Sequence, residues 1–344
     1  DPHRMGMLNQ TLLKDVDTSP DTRTLAQEGS IALLAKANHH GWAAIDNYSM
    51  RIDGRLWGLC PRVSLQNGVP KNPRCPACES RSTLNLESAL ALGANLELFD
   101  SRSVQQLALR CLENGLDPIS SGAVLSWARH CRMDGALSFL PDMRTSSAVL
   151  YLRLLDAIAF QRGSGEQRGK SMGDLVSLYG GEQHAFMVDG LGLPPFDYRA
   201  VPVQALLASL GDDSLVFAEL LWGNHYHRGN ERLLASWALY VQHLRSATES
   251  IGLCQLVSLP LFANKYFHFP RWKCKYRQFS RLANLASLSE GYEISPMMMF
   301  GYGKRAHLLK QEIEKKLGRA RSGYGKLPDQ LLVNGKSNYR SAQV

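Results

Sequence analysis

Apolar residues recur three or four positions apart along most of this chain, a spacing that is typical of amphipathic α-helices. One segment also carries start and stop signals. There, Asp100 or Ser101 is placed to cap a helix whose apolar run ends at Gly115. Near the C-terminus, Ser295 and Pro296 mark the start of a longer helix over residues 295–318. Further helices are predicted over residues 24–40, 84–97, 119–136, 146–162, 170–179, 201–210, 214–222, 230–246 and 279–290. The pattern therefore predicts a mainly α protein.

Strand signals are few and short, at residues 54–59 and 184–188. A stretch rich in glycine and proline, residues 189–202, interrupts the helical pattern. We take this break as the domain boundary. It divides the chain into a helical domain of residues 1–188 and a second helical domain of residues 189–344.

Length and composition indicate a folded protein with a sizeable core. The chain has 344 residues, of which 44% are hydrophobic and 20% charged, which excludes a disordered chain, a collagen and a coiled-coil rod. Its net charge of +8 is unevenly spread. Residues 301–344 hold ten basic and three acidic residues, and residues 265–281 hold six basic and none acidic. The rest of the chain is therefore mildly acidic.

The cysteine content favours a reducing compartment. Seven cysteines are too sparse for a disulfide scaffold, and their number is odd.

The most apolar stretch, residues 146–160, carries Arg153 and Asp156 in its middle, which suits an amphipathic helix better than a bilayer span. The N-terminal residues are charged, unlike a signal peptide. We therefore expect a soluble cytoplasmic protein with no membrane contact.

Two cysteines three positions apart, Cys75 and Cys78, form the first candidate for chemistry. The turn between them can aim both sulfurs at one metal ion or one corner of an iron–sulfur cluster. A second such pair is absent from the sequence, so Cys60 and Cys254 are the candidates for further ligands. Reduced structural cysteines are the alternative interpretation.

Three other patterns have a structural explanation as good as a functional one. Residues Gly163–Ser171 nearly match a phosphate-binding loop, but Ser164 stands where the first glycine belongs, so a connection between helices is favoured. Aromatic and basic residues alternate over Lys265–Arg281, which suits single-stranded nucleic acid or a solvated loop; we expect no nucleic-acid binding. The pair His225 and His227 has poor spacing for a metal chelate on a helix.

Seven segments stand out when they are taken together in chain order: Glu28–Ser30 with Asn38, Gly41 and Asn47; Cys75–Cys78; Leu86–Ser88 with Leu92 and Gly93; Asn114–Ser120; Gly190–Arg199; Glu249–Cys254; and Gly303–Arg305 with Leu327 and Pro328. In this order they resemble the aldehyde ferredoxin oxidoreductase family. Cys75–Cys78 is similar to the first two cluster cysteines of that family, and Leu86–Ser88 to the segment bearing its active-site glutamate. Asn114–Ser120 and Glu249–Cys254 are similar to its two pterin motifs.

The resemblance implies a fold and an activity. It covers the second and third domains of the family only, so we expect two helical domains without the family's N-terminal β domain. It implies oxidation of an aldehyde to a carboxylic acid at a tungsten or molybdenum bis-pterin centre. Electrons would leave through a 4Fe-4S cluster to a ferredoxin-like carrier. A separate chain supplying the N-terminal domain is a further expected partner, and association into a homo-oligomer stays open.

Site residues follow from the resemblance, position by position. Catalytic roles fall on Glu87, Tyr226 and His225, with the glutamate as general base and a neighbouring side chain polarising the carbonyl. The cluster would be bound by Cys75, Cys78 and Cys254. The pterins would be bound by Asn114, Gly115, Leu116, Asp117, Arg228, Glu249, Gly252 and Leu253.

Several positions depart from the family pattern. Ser82 stands where a third cluster cysteine belongs, so Cys60 or Ser82 would have to complete the cluster. Leu112 replaces the aspartate that begins the first pterin motif. Tyr226 falls on the catalytic histidine position, and Asp189 on a usual lysine. The alternative function is therefore a truncated or degenerate, non-catalytic member of the family that acts as a structural or partner-binding subunit.

Overall fold

Helices make up most of the described chain in this computed structural model. In chain order they are α1 (Pro20–Glu28), α2 (Leu34–His40), α3 (Leu86–Leu92), α4 (Ser101–Glu113), α5 (Pro118–Met133), α6 (Ala148–Ala159), α7 (Met172–Tyr179), α8 (Pro202–Ser209), α9 (Glu231–Ser250), α10 (Arg277–Glu290) and α11 (Pro296–Lys316). Short 3₁₀ helices lie at Ser30–Leu33, Gly54–Leu59, Ala94–Leu96, Glu182–His184 and Asp329–Leu331. The structure describes residues 3, 4, 6, 7, 10, 20–50, 52–59, 84–160, 171–209, 231–253, 277–316 and 327–331.

The internal contacts divide the chain into two units. The first unit comprises residues 28–201 and 325–338, and the second comprises residues 1–27, 202–324 and 339–344. Each unit is built on helix packing, which confirms the predicted mainly α fold class. The domain boundary predicted from the sequence stays a prediction.

Polar side chains cap several helices where the sequence predicts their starts. Asp100, rather than Ser101, caps α4: its Oδ2 accepts the Ser103 N–H at 2.9 Å. Asp117 caps α5 in the same way, at 2.7 Å from the Ser120 nitrogen, and proline follows as the first helical residue. These caps satisfy N–H groups that have no partner within the helix.

The predicted helix over 24–40 is wrong in one respect, because Gly29 interrupts it. This glycine has a φ of 79°, which an α-helix does not accommodate, and the chain passes through a 3₁₀ turn before α2 begins. The helix ends as predicted, at Gly41 in the left-handed conformation. The helix predicted over 214–222 lies outside the described residues.

Both strand predictions need correction. Residues 54–59 form a 3₁₀ helix, because the carboxylate of Asp53 accepts the Arg55 N–H at 2.8 Å and starts a turn. Of residues 184–188, only Met187–Val188 (β1) is extended, and it pairs antiparallel with Leu191–Gly192 (β2). These two strands form a single hairpin, the only sheet among the described residues.

The core of the first unit lies between α3 and α5. Six of the seven residues of α3 are buried. Gly122 of α5 lies so close to Ala91 of α3 that a Cβ at this glycine would overlap the Ala91 backbone. Helices α4 and α6 pack together beside this pair. A glycine at the crossing thus allows the two helices to approach closely.

Three consecutive residues with left-handed backbones connect this core to the neighbouring loops. Asp46, Asn47 and Tyr48 have φ values of 47°, 52° and 66°. Such a conformation costs roughly 1–2 kcal/mol per residue with a side chain, although Asp and Asn tolerate it better. The turn persists because its side chains are held, for example by the Tyr48 hydroxyl donating to the Pro194 carbonyl at 2.7 Å.

The buried side chain of Arg129 holds this turn most directly. It is 3% exposed and forms ion pairs with Asp46 Oδ1 at 2.5 Å and Glu97 Oε2 at 2.6 Å. Its Nε also donates to the Met143 carbonyl at 3.2 Å. Burial alone would raise the pKa of Asp46, but His130 and Arg129 outweigh it and hold that pKa well below the usual range.

In the second unit, α9 packs against α11, and Gly303 of α11 lies against the His243 carbonyl and Ala247 of α9. The ring of His243, which is half-buried, is 5.7 Å from the ring of the buried His307. Burial, together with His307 and Lys304, lowers the pKa of His243 to about 4.

No helix of the described ranges has both the length and the apolar character needed to cross a bilayer.

Replacing Arg129 with methionine should lower the free energy of unfolding by about 3 kcal/mol, because two partly buried carboxylates lose their cation. Urea unfolding measures the change. Arg144→Ala is the control: this arginine is 75% exposed, so its loss should cost at most about 0.5 kcal/mol. An R129M variant as stable as the wild type would contradict the structural role given to this arginine.

The free energy of unfolding should fall as the pH drops from about 6.5 to about 4, and the protonation of His243 should account for part of this fall. Its pKa is about 4 when folded against an ordinary value of 6.5. Between these values the unfolded chain binds a proton that the folded chain does not, so acid favours unfolding. Below pH 4 this contribution is constant. Urea unfolding of the wild type and of His243→Gln at several pH values tests this contribution. If the free energy of unfolding changed with pH equally in both proteins, the contribution of His243 would be excluded.

Candidate functional site

Helix α3 holds Glu87, and its N-terminus is fixed by two side chains. The Asn85 Oδ1 accepts the Ser88 N–H at 2.7 Å, and the Ser30 hydroxyl accepts the Leu86 N–H at 3.0 Å. Glu87 is the one residue of this helix that is not buried. The fold therefore places one partly exposed glutamate on a helix that is otherwise within the core.

The segment after α3 is fixed as firmly. The N–H groups of Asp46 and Asn47 donate to the carbonyls of Ala94 and Asn95 at 3.1 and 3.3 Å. The Ser126 hydroxyl donates to the Asn95 carbonyl at 2.9 Å, and the Ser146 hydroxyl to that of Leu96 at 2.5 Å. With both ends bonded, the helix holds Glu87 in a fixed position.

The first predicted pterin motif forms the turn between α4 and α5, which we call the α4 corner (residues 112–117). Gly115 has a φ of 67°, and the Leu116 N–H donates back to the Cys111 carbonyl at 2.8 Å. This is a Schellman turn, in which glycine avoids the strain that a Cβ would cause. No atom lies within 4 Å of where a Cβ on Gly115 would be, so the corner has open space beside the glycine.

Some polar side chains of the α4 corner bond within the protein, and others are exposed. The Asn114 amide donates to Asp156 Oδ1 of α6 at 3.0 Å, and Arg110 binds the same carboxylate at 2.6 Å. The Arg110 guanidinium holds the pKa of Asp156 below its usual value. Asp117 caps α5 through Oδ2 and is exposed, as is Glu113. Leu112, at the head of the motif, is 62% exposed.

The second predicted pterin motif, which we call the α9 corner (residues 249–253), has the same backbone. Gly252 has a φ of 74°, and the Leu253 N–H donates to the Thr248 carbonyl at 3.1 Å. A Cβ on this glycine would also meet no atom within 4 Å. Glu249 is half exposed and accepts from Arg245 Nε at 2.7 Å.

The structure describes only part of the predicted site. Glu87 and the α4 corner lie in the first unit, and Glu249, Gly252 and Leu253 in the second. The predicted cluster ligands and the residues near the catalytic histidine position lie outside the described residues; they are Cys75, Cys78, Cys254, His225, Tyr226 and Arg228.

Two described cysteines, Cys111 and Cys131, are buried, and burial raises the pKa of their thiols to about 11 and about 12. Within the described part of the chain, no three His, Cys, Asp or Glu side chains are arranged to bind a metal ion.

Two contributing residues were not singled out from the sequence. Ser30 lies in a recognised motif, but its bond to Leu86 joins residues 56 positions apart and leaves no local signal. From the sequence, Asp156 stands out only as a charge in an apolar helix. A carboxylate in such a helix needs a cation or a hydrogen-bond donor as its partner. That requirement is a signal for Arg110 of α4, which the structure shows to be the partner.

Comparison with known proteins now gives these segments a common context. A family described as "Aldehyde ferredoxin oxidoreductase, domains 2 & 3" matches residues 7–343. Two proteins named tungsten-containing aldehyde ferredoxin oxidoreductase, from Thermococcus kodakarensis and Pyrococcus furiosus, are each 26% identical over 271 residues. The aligned part covers 70% of this chain and 44% of each relative, so the chain spans less than half the length of these relatives.

Substituting alanine for Gly115 or Gly252 should lower the free energy of unfolding by about 1 kcal/mol each, because alanine is strained at a positive φ even where space is open. Chemical denaturation measures both. Gly301→Ala is the matched control: this glycine also has open space but lies within α11, where alanine should stabilise by up to about 1 kcal/mol. Equal effects at all three positions would refute the conformational explanation.

Proposed function

Since the chain belongs to the aldehyde ferredoxin oxidoreductase family, we propose that it takes part in oxidising an aldehyde to a carboxylic acid, with electrons passing to a ferredoxin-like carrier. The observation that carries the proposal is the position of Glu87, a partly exposed glutamate on a helix that is otherwise buried and bonded at both ends. The resemblance gives this position to the active-site glutamate of the family, and a general base has to be held in a fixed position to act.

In the proposed reaction, Glu87 transfers one proton. An aldehyde and water become a carboxylic acid, two protons and two electrons; the aldehyde C–H bond breaks and a C–O bond forms. We assign to the Glu87 carboxylate the removal of a proton from the water as its oxygen adds to the carbonyl carbon. His225 and Tyr226 are proposed to donate to the carbonyl oxygen, where negative charge develops.

The cofactors that this function requires are a tungsten or molybdenum pterin group and a 4Fe-4S cluster. When bound, they supply the two-electron acceptor and the route by which electrons leave. The cluster is proposed to bind Cys75, Cys78 and Cys254, with Cys60 or Ser82 as the fourth ligand. The ferredoxin-like carrier is proposed as the electron-accepting partner.

The two corners differ in how well they suit a pterin. The α9 corner combines open space beside Gly252 with a half-exposed carboxylate, Glu249, that can accept N–H donors of a planar ring. The α4 corner also has the open space, and Glu113 and Asp117 are exposed carboxylates there, but an exposed leucine stands where the motif of the family begins with an aspartate. The α4 corner thus lacks one acceptor that the α9 corner has.

This mismatch favours one alternative function, that of a structural or partner-binding member of the family without catalysis. Leu112 is the specific observation in its support, because an exposed leucine offers no acceptor to a polar ring but suits a contact with another protein. Under this alternative the protein would contain neither tungsten nor molybdenum.

Glu87→Gln should lower kcat for aldehyde oxidation by 10²–10⁴-fold, the usual contribution of a general base. The assay uses the full-length protein from a host that makes the cofactors, with viologen dye as electron acceptor, and metal content measured by mass spectrometry. Glu182→Gln is the control, since this glutamate is exposed in the same unit and lies outside the predicted site.

Three results of this experiment separate the possibilities. An active, metal-loaded E87Q variant would mean that another group is the base. A wild-type protein with no tungsten, molybdenum or iron and no aldehyde oxidation would refute the proposed function and favour the structural alternative. Iron without tungsten or molybdenum would indicate a protein that retains only electron transfer.

A further inference from the structure

We infer that Ser30 is a positioning residue for the proposed reaction: its hydroxyl holds the first turn of α3, and with it Glu87, at a fixed place. The inference rests on the proposed function and adds a residue that acts through the general base rather than on the substrate. It also gives a task to Glu28–Ser30, one of the seven segments that resemble the family.

The bond that supports this role joins two distant parts of the chain. The Leu86 N–H donates to the Ser30 hydroxyl at 3.0 Å, across 56 positions of sequence. Leu86 is the first residue of α3 and is fully buried, and Glu87 follows it directly. Because the first N–H groups of a helix have no partner within it, the serine supplies an acceptor for a buried donor. Ser30 is thus bonded one residue away from the proposed base.

The two acceptors at this end of α3 have different consequences for its position. Asn85 accepts the Ser88 N–H at 2.7 Å, but it directly precedes the helix in the chain and moves together with it. Such a cap stabilises the helix. Ser30 begins another element, a 3₁₀ helix that packs against α3 and is anchored in the core by Ile31 and Leu33. A bond from this element fixes the place at which α3 begins.

The backbone before Ser30 determines how the serine is presented to α3. Gly29 has a φ of 79° and a ψ of −173°, a combination that is open essentially to glycine alone. The Gly29 carbonyl then accepts the Ala32 N–H at 3.2 Å, which begins the 3₁₀ turn. The hydroxyl of Ser30 is therefore held by a local conformation with little freedom.

Loss of the bond should affect proton transfer more than substrate binding. A general base acts within about 2.6–3.2 Å of the proton that it removes, and a displacement of about 1 Å can slow a reaction about 10²-fold. Without the Ser30 hydroxyl, the buried Leu86 N–H has no acceptor, which favours a shift or fraying of the first turn. The Glu87 carboxylate, which lies in that turn, would then be in reach of the water for less of the time.

Kinetics of serine variants test the inference, with the full-length protein from a cofactor-producing host and viologen dye as acceptor. Ser30→Ala should lower kcat about tenfold and change KM less than about twofold. Ser30→Thr, which keeps the hydroxyl, should restore most of the activity. An S30A variant with the kcat of the wild type, alongside a slow Glu87→Gln variant, would overturn the inference and leave the proposed function intact.

Ser147→Ala is the matched control. The Ser147 hydroxyl accepts the Leu150 N–H at 3.5 Å at the start of α6, so this variant removes the same kind of bond from a partly buried serine of the same unit. Both alanine variants should lower the melting temperature by about 2–4 °C. Only S30A should lower kcat, and an equal fall of kcat in S147A would assign the effect to lost stability.

A double variant gives a readout that lost stability does not move. If Ser30 acts through Glu87, S30A should lower kcat in the wild-type protein but not the residual kcat of E87Q. The same fold-change in both backgrounds would overturn the positioning role and leave the proposed function intact. A wild-type protein without tungsten, molybdenum or iron and without aldehyde oxidation would instead overturn the proposed function.

Hydrogen exchange tests the bond itself, without reference to activity. The amides of Leu86–Ser88 should exchange at least about tenfold faster in S30A than in the wild type, and at the wild-type rate in S147A. Unchanged exchange in S30A would show that the serine does not hold the first turn of α3, and would overturn the inference.

Discussion

The first unit depends on one guanidinium that is almost entirely out of water. Arg129 joins three parts of the unit by binding Asp46 in the left-handed turn, Glu97 after α3 and a backbone carbonyl beyond α5. A buried cation of this kind is tolerated only where carboxylates and carbonyls surround it. Because it fixes the turn that bonds to Ala94 and Asn95, it also fixes the helix that carries Glu87.

Sequence reasoning predicted the helices well because their signals are local. The cap at Asp100 and the stop at Gly115 each act within one turn of chain, and the structure places them as predicted. The prediction was wrong where composition was used in place of a local signal. The segment 54–59 has a strand-like composition, but a side chain of the preceding residue, Asp53, starts a 3₁₀ turn instead.

The candidate site was predictable only as far as motifs extend. The motif residues of both corners were found, yet their spacing could not reveal that Asn114 is bonded to Asp156, which lies on another helix. Nor could it reveal that Leu112 is exposed, since a leucine in a helix is usually taken for core.

The close contact between Gly122 and Ala91 has a consequence for substrate choice. Because the two backbones are in contact, α3 has no room to move toward α5. Under the proposed function, the helix that carries Glu87 would therefore not shift to suit aldehydes of different length, and it would be the fixed position against which a substrate is aligned. Relatives that accept larger or smaller aldehydes would then differ in the wall opposite this point, and not in the helix that bears it.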